Sequence, residues 1–264
     1  MALKDGLVHY FFRPAPGPRV GPCLVLLGAT AQTIHSLVGH HSALTTDRGP
    51  RALLQLELRG QGRTTTLPLT NCGMATQVDD MCQVLDNAGF AIGSDEQVDI
   101  VGYSFGGRVA LAVAANAPER VRRLVVTGVP VDRGAAGRVI LQAWKSSLQA
   151  GNLEAFLWQS MANGHSPEFL ARHESKLAGW VASAGKANRA EAIAALVAQT
   201  HTDDIDDPWH TLRLARKAAP SFSPQVLMKC SPVRLADRLA GGTDGQTKHP
   251  AVQRQRLRAA GGWP

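Results

Sequence analysis

The sequence predicts an α/β protein built on a mostly parallel, doubly wound sheet, and three observations carry that expectation. Short apolar and β-branched runs alternate with helical stretches through the first half of the chain. One of these runs, residues 22–27 (Pro-Cys-Leu-Val-Leu-Leu), is continuously apolar, as a strand covered on both faces must be. Another run, residues 98–101, passes through Gly102-Tyr103-Ser104-Phe105-Gly106-Gly107 into an Ala-rich stretch, 108–115, that is apolar all round and reads as a buried helix. With 264 residues, 44% of them hydrophobic, the chain can bury one large core, as a single domain or as a domain carrying an insertion.

Taken in order, residues 7–12 read as a short strand closed by the Pro14-Ala15-Pro16-Gly17-Pro18 turn. The strand at 22–27 ends in Gly28-Ala29-Thr30, and a helix is expected over 31–47. That helix holds His35, His40 and His41, read as surface histidines because no carboxylate accompanies them at ligand spacing. A strand at 52–58 runs into Arg59-Gly60-Gln61-Gly62-Arg63-Thr64, which lacks the Lys-Ser/Thr that follows a phosphate-binding loop. A helix at 74–88 leads to the strand before Ser104. Pro118 stops the helix after it, and 124–126 is one more strand. From 130 to 202 strands cease. Helices are expected over 139–149, 153–161, 168–182 and 189–201, with Trp144, Phe156, Trp158, Phe169 and Trp180 read as packing residues. The acidic run Asp203-Asp204-Ile205-Asp206-Asp207 lacks the central glycine of a calcium loop and reads as a solvated helix end.

The chemistry concentrates at Ser104. A strand that reverses into a helix within a few residues forces its central residue into a strained backbone and brings neighbouring chain close. Glycines two before and two after that residue avoid the clash, and the serine hydroxyl stands clear beside the positive end of a helix. In this the chain resembles the α/β-hydrolase family, whose nucleophile elbow is a Gly-x-Ser-x-Gly turn in this strand–turn–helix context. The resemblance implies an α/β-hydrolase fold with an inserted helical cap: an N-terminal part of the core over 1–129, a cap over 130–205, and a basic, atypical C-terminal part of the core over 206–264. Residues 57–64 resemble the Asp-x-Arg-Gly-x-Gly loop of cap-bearing members, with Glu57 in place of the aspartate and Arg59 expected to fix the neighbouring backbone. Leu27-Gly28 stands where relatives carry His-Gly. The implied oxyanion-hole donors are the N–H groups of Ala29 and Phe105.

A serine needs a histidine to take its proton and a carboxylate to orient that histidine, and the family order is Ser, acid, His. His249, ahead of a helix-like segment, is the expected base, and Asp237, after the strand expected at 225–230, the expected acid. Asp244, in a Gly-x-x-Asp turn, and Asp132 are alternative acids. His210 and His201 read as structural. The implied activity is serine-type hydrolysis of a small ester, thioester or amide through an acyl-enzyme on Ser104. The competing class is an inactive α/β-hydrolase-fold protein, with an incomplete triad, that binds a small ligand or a partner.

Composition narrows the partners. From Pro208 onward ten Lys and Arg stand against two Asp and Glu, while the rest of the chain holds 18 against 19, so the formal charge of +7 belongs to the tail. The tail lacks interleaved aromatics, so a small-molecule acyl substrate rather than nucleic acid is the expected partner. Its charge and its shortage of buried strands fit three origins: a native end, a truncated one, or a shifted reading frame. The four cysteines lack metal-ligand spacing and suit a reducing compartment, and no secretory leader or ~18-residue apolar span is evident. A cytoplasmic enzyme without metal or cofactor is expected.

Overall fold

A computed structural model of the chain describes residues 1–3, 5–15, 17, 21–38, 51–66, 69–91, 97–129, 133–201 and 227–229. Its strands are β1 (Ala2–Leu3), β2 (Gly6–Leu7), β3 (Tyr10–Arg13), β4 (Leu24–Leu27), β5 (Leu53–Leu56), β6 (Thr65–Thr66), β7 (Val98–Tyr103), β8 (Val121–Thr127) and β9 (Leu227–Lys229). Its α-helices are α1 (Met74–Asn87), α2 (Phe105–Asn116), α3 (Gly134–Gln149), α4 (Leu153–Gly164), α5 (Pro167–Ala187) and α6 (Ala190–Thr200). The main sheet has the order β3-β5-β4-β7-β8-β9. Every neighbouring pair in it is parallel except β3 with β5. This is the mixed, mostly parallel sheet of an α/β-hydrolase fold.

Alternation along the central strands explains why both faces are covered. Val25, Leu27, Leu54 and Leu56 join one apolar cluster with α1 and α2, through Met81, Val84, Val109 and Val113. Leu24, Leu26 and Leu53 point the other way and pack on Leu37. Helix α2 lies deepest, with every residue from Phe105 to Ala114 buried. Its Ala-rich composition suits that position, since small side chains let it approach the sheet closely.

Two expectations are corrected. The strand expected at 7–12 divides between two sheets: β2 pairs with β1 and β6, and β3 with β5. Between them the Val8 N–H donates to Met1 O at 3.0 Å and the His9 N–H to Thr64 Oγ1 at 3.0 Å, so those two residues leave the ladder. The helix expected over 31–47 does not begin at 31: the described residues show a 3-10 turn at Ile34–Leu37 and then a helical Val38, and residues 39–47 lie outside them. Ala31 has φ 62°, which no helix accommodates. The N–H groups of Ala31 and Ile34 are taken by Gln61 Oε1 and Glu57 Oε1. His40 and His41 lie outside the described residues.

Helices α3–α6 follow β8 and form their own apolar cluster from Leu141, Leu148, Phe156, Leu157, Val181, Ile193 and Val197. Trp144 packs edge-on against Phe156, with ring centroids 5.3 Å apart. Their starts are set by local chemistry. Asn152 Oδ1 accepts from the Ala155 N–H and Ser166 Oγ from the Phe169 N–H, and Pro167 occupies the first turn of α5. Among the described residues no helix is long and apolar enough to cross a membrane.

Candidate active site

The turn between β7 and α2 has the geometry its glycines suggested. Ser104 sits at φ 50°, ψ −111°, one of two described non-glycine residues with positive φ. A side chain held there costs on the order of 1–3 kcal/mol, which the surrounding structure must offset. The Ser104 N–H donates to Thr127 O of β8 at 2.8 Å, and Ser104 O accepts from the Arg108 N–H at 3.1 Å as α2 begins. A Cβ on Gly102 would lie 2.6 Å from the Gly107 Cα, and one on Gly106 would lie 2.5 Å from Gly28 O. These contacts explain why glycine is required at both positions. The second also locates the loop after β4, because the Gly106 N–H donates to Gly28 O at 3.0 Å. The stretch that begins α2 and the stretch that leaves β4 therefore lie backbone to backbone.

The Ala29 N–H, at the head of that loop, donates to Gln32 Oε1 at 2.7 Å. A carbonyl oxygen from the protein itself thus occupies this donor. The rest of the loop is braced by side chains from elsewhere. Gln61 Oε1 accepts from Ala31 N–H at 2.9 Å, and Asn188 Nδ2 donates to Ala31 O at 2.9 Å. Asn188 Oδ1 in turn accepts from the Gly62 N–H at 2.8 Å, tying the same residue to the loop after β5. Glu57, only 1% exposed, takes the N–H groups of Ile34 and Arg63.

The role expected of Arg59 is therefore corrected. Its guanidinium does not hold backbone in the described contacts; it pairs with both oxygens of Asp80 at 2.6 Å and with Asp5 at 2.7 Å. Gln77 fixes the backbone instead, with its Oε1 accepting from the Arg59 N–H and its Nε2 donating to Arg59 O. Burial disfavours the charged guanidinium, but the hydrogen bonds from Asp80 and Asp5 outweigh it and Arg59 is held firmly protonated. Asp80 moves the opposite way to a simple pair partner: its deeper burial raises its pKa and Arg59 reverses that only in part.

His201 follows α6 and is 3% exposed. Its ring lies 5.4 Å from that of Phe105 and 6.3 Å from that of Trp144, centroid to centroid. Nδ1 is 2.8 Å from Thr200 Oγ1 and Nε2 is 3.2 Å from Thr30 Oγ1. Desolvation, with the nearby positive charges of Arg108, Arg133 and Lys145, lowers its pKa well below that of an ordinary histidine. From the sequence, His201 reads as structural. Spatially it adjoins both Phe105 and the residue after Ala29.

Among the anticipated residues, the structure brings Ser104, Phe105 and Ala29 together. Asp237 and His249 lie outside the described residues, as do Asp244, Asp132 and His210. Among the described residues Ser104 Oγ has no hydrogen-bond partner. Gln32, Gln61, Asn188 and Thr200 were not anticipated. A cavity of ≈ 220 Å³ lined by Lys145, Leu148, Gln149, Ala194, Val197 and Ala198 includes no residue of the Ser104 turn, so it does not mark this site. The described residues contain no group of three or more His, Cys, Asp or Glu placed to hold a metal.

Comparison with known proteins agrees with the geometry. The 2-hydroxymuconate semialdehyde hydrolase of Pseudomonas sp. (strain CF600) is 67% identical over 33 residues, 12% of this chain and 12% of that protein. The enzyme of the same name from Pseudomonas putida is 52% identical over 54 residues, 20% of this chain. The matched part of the chain thus spans 12% and 17% of the length of these curated relatives. Among solved structures, the enol-lactonase from Burkholderia xenovorans LB400 aligns with a TM-score of 0.63 at 16% identity. That alignment covers 84% of this chain and 76% of the enol-lactonase. The sequence model of the alpha/beta hydrolase fold matches residues 52–208, more than half of the chain, and the chain belongs to the α/β-hydrolase family.

Proposed function

We propose that the protein is a serine-type hydrolase that cleaves a small ester, thioester or amide through an acyl-enzyme on Ser104. One observation carries the reading: a serine at φ 50° between glycines that no larger residue could replace, at the N-terminus of a buried helix. Strain of that kind is retained where it presents a reacting atom. Ser104 Oγ attacks the acyl carbon and its proton passes to His249, which Asp237 orients. The N–H groups of Ala29 and Phe105 hold the oxygen that becomes negative. Collapse of the tetrahedral adduct breaks the bond to the leaving group, which takes the proton from His249. Water, deprotonated by the same histidine, then releases the acid. The substrate oxygen must displace Gln32 Oε1 from the Ala29 N–H. The names of the relatives support a carbonyl substrate, since an enol-lactone is a cyclic ester. Helices α3–α6 act in this reading as the cap over the site.

A fluorophosphonate probe should label the protein, and only at Ser104. Ser104→Ala should abolish labelling, and His249→Ala should lower nitrophenyl ester hydrolysis by roughly 10⁴-fold or more. Labelling that survives Ser104→Ala would place the reactive group elsewhere. The occupied Ala29 N–H favours a second reading, a catalytically silent fold that binds a small ligand. An unlabelled parent protein whose fold is intact would select it.

A further inference from the structure

Two hydroxyls and one imidazole join two parts of the molecule that sequence places far apart, and the direction of each hydrogen bond follows from counting protons. Thr200 Oγ1 donates its single proton to Leu196 O, four residues back in α6, at 2.6 Å. Towards His201 it can therefore only accept, so Nδ1 carries the hydrogen. The buried ring is neutral and faces the cations Arg108 on α2, Arg133 ahead of α3 and Lys145 on α3, all of which oppose a second proton. Nε2 is then an acceptor, and its neighbour at 3.2 Å, Thr30 Oγ1, must donate. The chain of donors runs from Thr30 through His201 and Thr200 into the backbone of α6. Arg108, one turn along α2 from Ser104, adds a second tie by donating from Nη1 to Thr200 O.

We propose that His201 is a positioning residue for the oxyanion loop: by accepting from Thr30 it latches α6 to the turn whose Ala29 N–H faces the reacting carbonyl. The inference rests on the assignment of Ala29 to the oxyanion hole. Three observations support it. Thr30 directly follows Ala29, so a shift in one peptide turns the other. The Phe105 ring, whose own N–H is the partner donor, packs against the imidazole at 5.4 Å. Ala31, the next residue along, is already packed into the cluster that α3–α6 form. The latch thus holds both donors at once, and a substrate that moves the helical segment moves them too.

Side-chain geometry supplies the test. In His201→Asn the amide reaches the Nδ1 position and keeps the Thr200 bond but falls short of Thr30. In His201→Gln the amide oxygen reaches the Nε2 position and keeps Thr30. Thr30→Val breaks the same bond from the other end, at a half-exposed site where loss of folding is a smaller hazard. We expect His201→Asn and Thr30→Val each to lower kcat for a nitrophenyl ester about tenfold, the worth of one hydrogen bond, with KM little changed. His201→Gln should recover most of the loss. Amide hydrogen exchange at Ala29 and Ala31 should speed up in the first two variants and not in the third. The double variant His201→Asn/Thr30→Val should be no worse than either single one. Exchange unchanged in His201→Asn and Thr30→Val would overturn the latch whether or not the parent is active. Faster exchange with unchanged kcat, in a parent labelled at Ser104, would overturn its positioning role. A parent that is not labelled at Ser104 removes the hydrolase reading, and exchange alone then decides the latch.

Discussion

The turn at Ser104 and the helices α3–α6 are built on opposite principles. Around Ser104 backbone meets backbone, and the spacing tolerates no added atom at Gly102 or Gly106. In the helical segment side chain meets side chain, sparsely: α5, 21 residues long, buries only Val181. Helix α6 bridges the two. Its Leu196 belongs to the sheet core, while Ile193 and Val197 belong to the helical cluster. A region held by backbone contact presents a reacting atom rigidly, whereas a region held by a few apolar side chains can shift as a body. The loop after β4 lies on the border and is stiffened by Gln61, Asn188 and His201 reaching in from outside.

Substitutions that separate the two regions should rank accordingly. Gly106→Ala pushes a methyl group to 2.5 Å from Gly28 O and the carbonyl carbon of Leu27. It should cost about 4 kcal/mol or more, at the extreme of single substitutions. Denaturant unfolding checks this, and a loss below about 1 kcal/mol would deny that backbone contact holds the turn. Phe156→Ala empties the centre of the helical cluster, where Phe156 is fully buried and packs on Trp144. The expected loss is about 3–4 kcal/mol. It should leave the sheet intact, so that the two regions give separate transitions by circular dichroism or hydrogen exchange.

The third difference is a pH dependence. The pKa of His201 is lower in the folded protein than in the unfolded chain, because burial and three neighbouring cations oppose the proton. Below the unfolded value, roughly 6.5, the unfolded chain takes up a proton that the native state refuses. Stability should therefore be complete above that pH and fall as the pH drops toward the folded value, by up to about 1.4 kcal/mol per unit for one proton. His201→Gln should flatten this limb of a stability–pH profile; a profile that keeps its slope would assign it to another group. The smallest effect has the opposite sign. Gly179 lies on the exposed face of α5, and nothing stands within 4 Å of an added Cβ. Gly179→Ala should stabilise by about 0.5–1 kcal/mol, the reverse of the same substitution at Gly106.

Local chemistry made much of this legible. The apolar run at 22–27 became β4, and the Ala-rich stretch after Ser104 became the fully buried α2. The helices expected at 139–149, 153–161, 168–182 and 189–201 all exist, the first three longer than expected by a few residues and the fourth shorter by one at each end. Side chains set the helix starts: Asn152 caps α4 at the expected residue, and Ser166 caps α5 one residue earlier than apolar periodicity alone suggests. The helix expected over 31–47 does not begin at 31, for a reason outside its own residues. The N–H groups that would have entered it are held by Glu57 and Gln61, which belong to the next βα connection.

The sequence by itself determined the strand–turn–helix at Ser104 and the alternation of the central strands with helices. Both follow from short-range facts: the period of apolar residues, and the need for glycine where backbones touch. Only the tertiary structure decided that Gln32 occupies the Ala29 N–H, that Arg59 pairs with Asp80 and Asp5 rather than with backbone, and that His201 reaches Thr30. Thr30 and His201 stand 171 positions apart. A polar side chain carries no mark of its partner in its own neighbourhood, because a hydrogen bond across the fold is set by where two backbones arrive and not by what lies beside either residue in the chain.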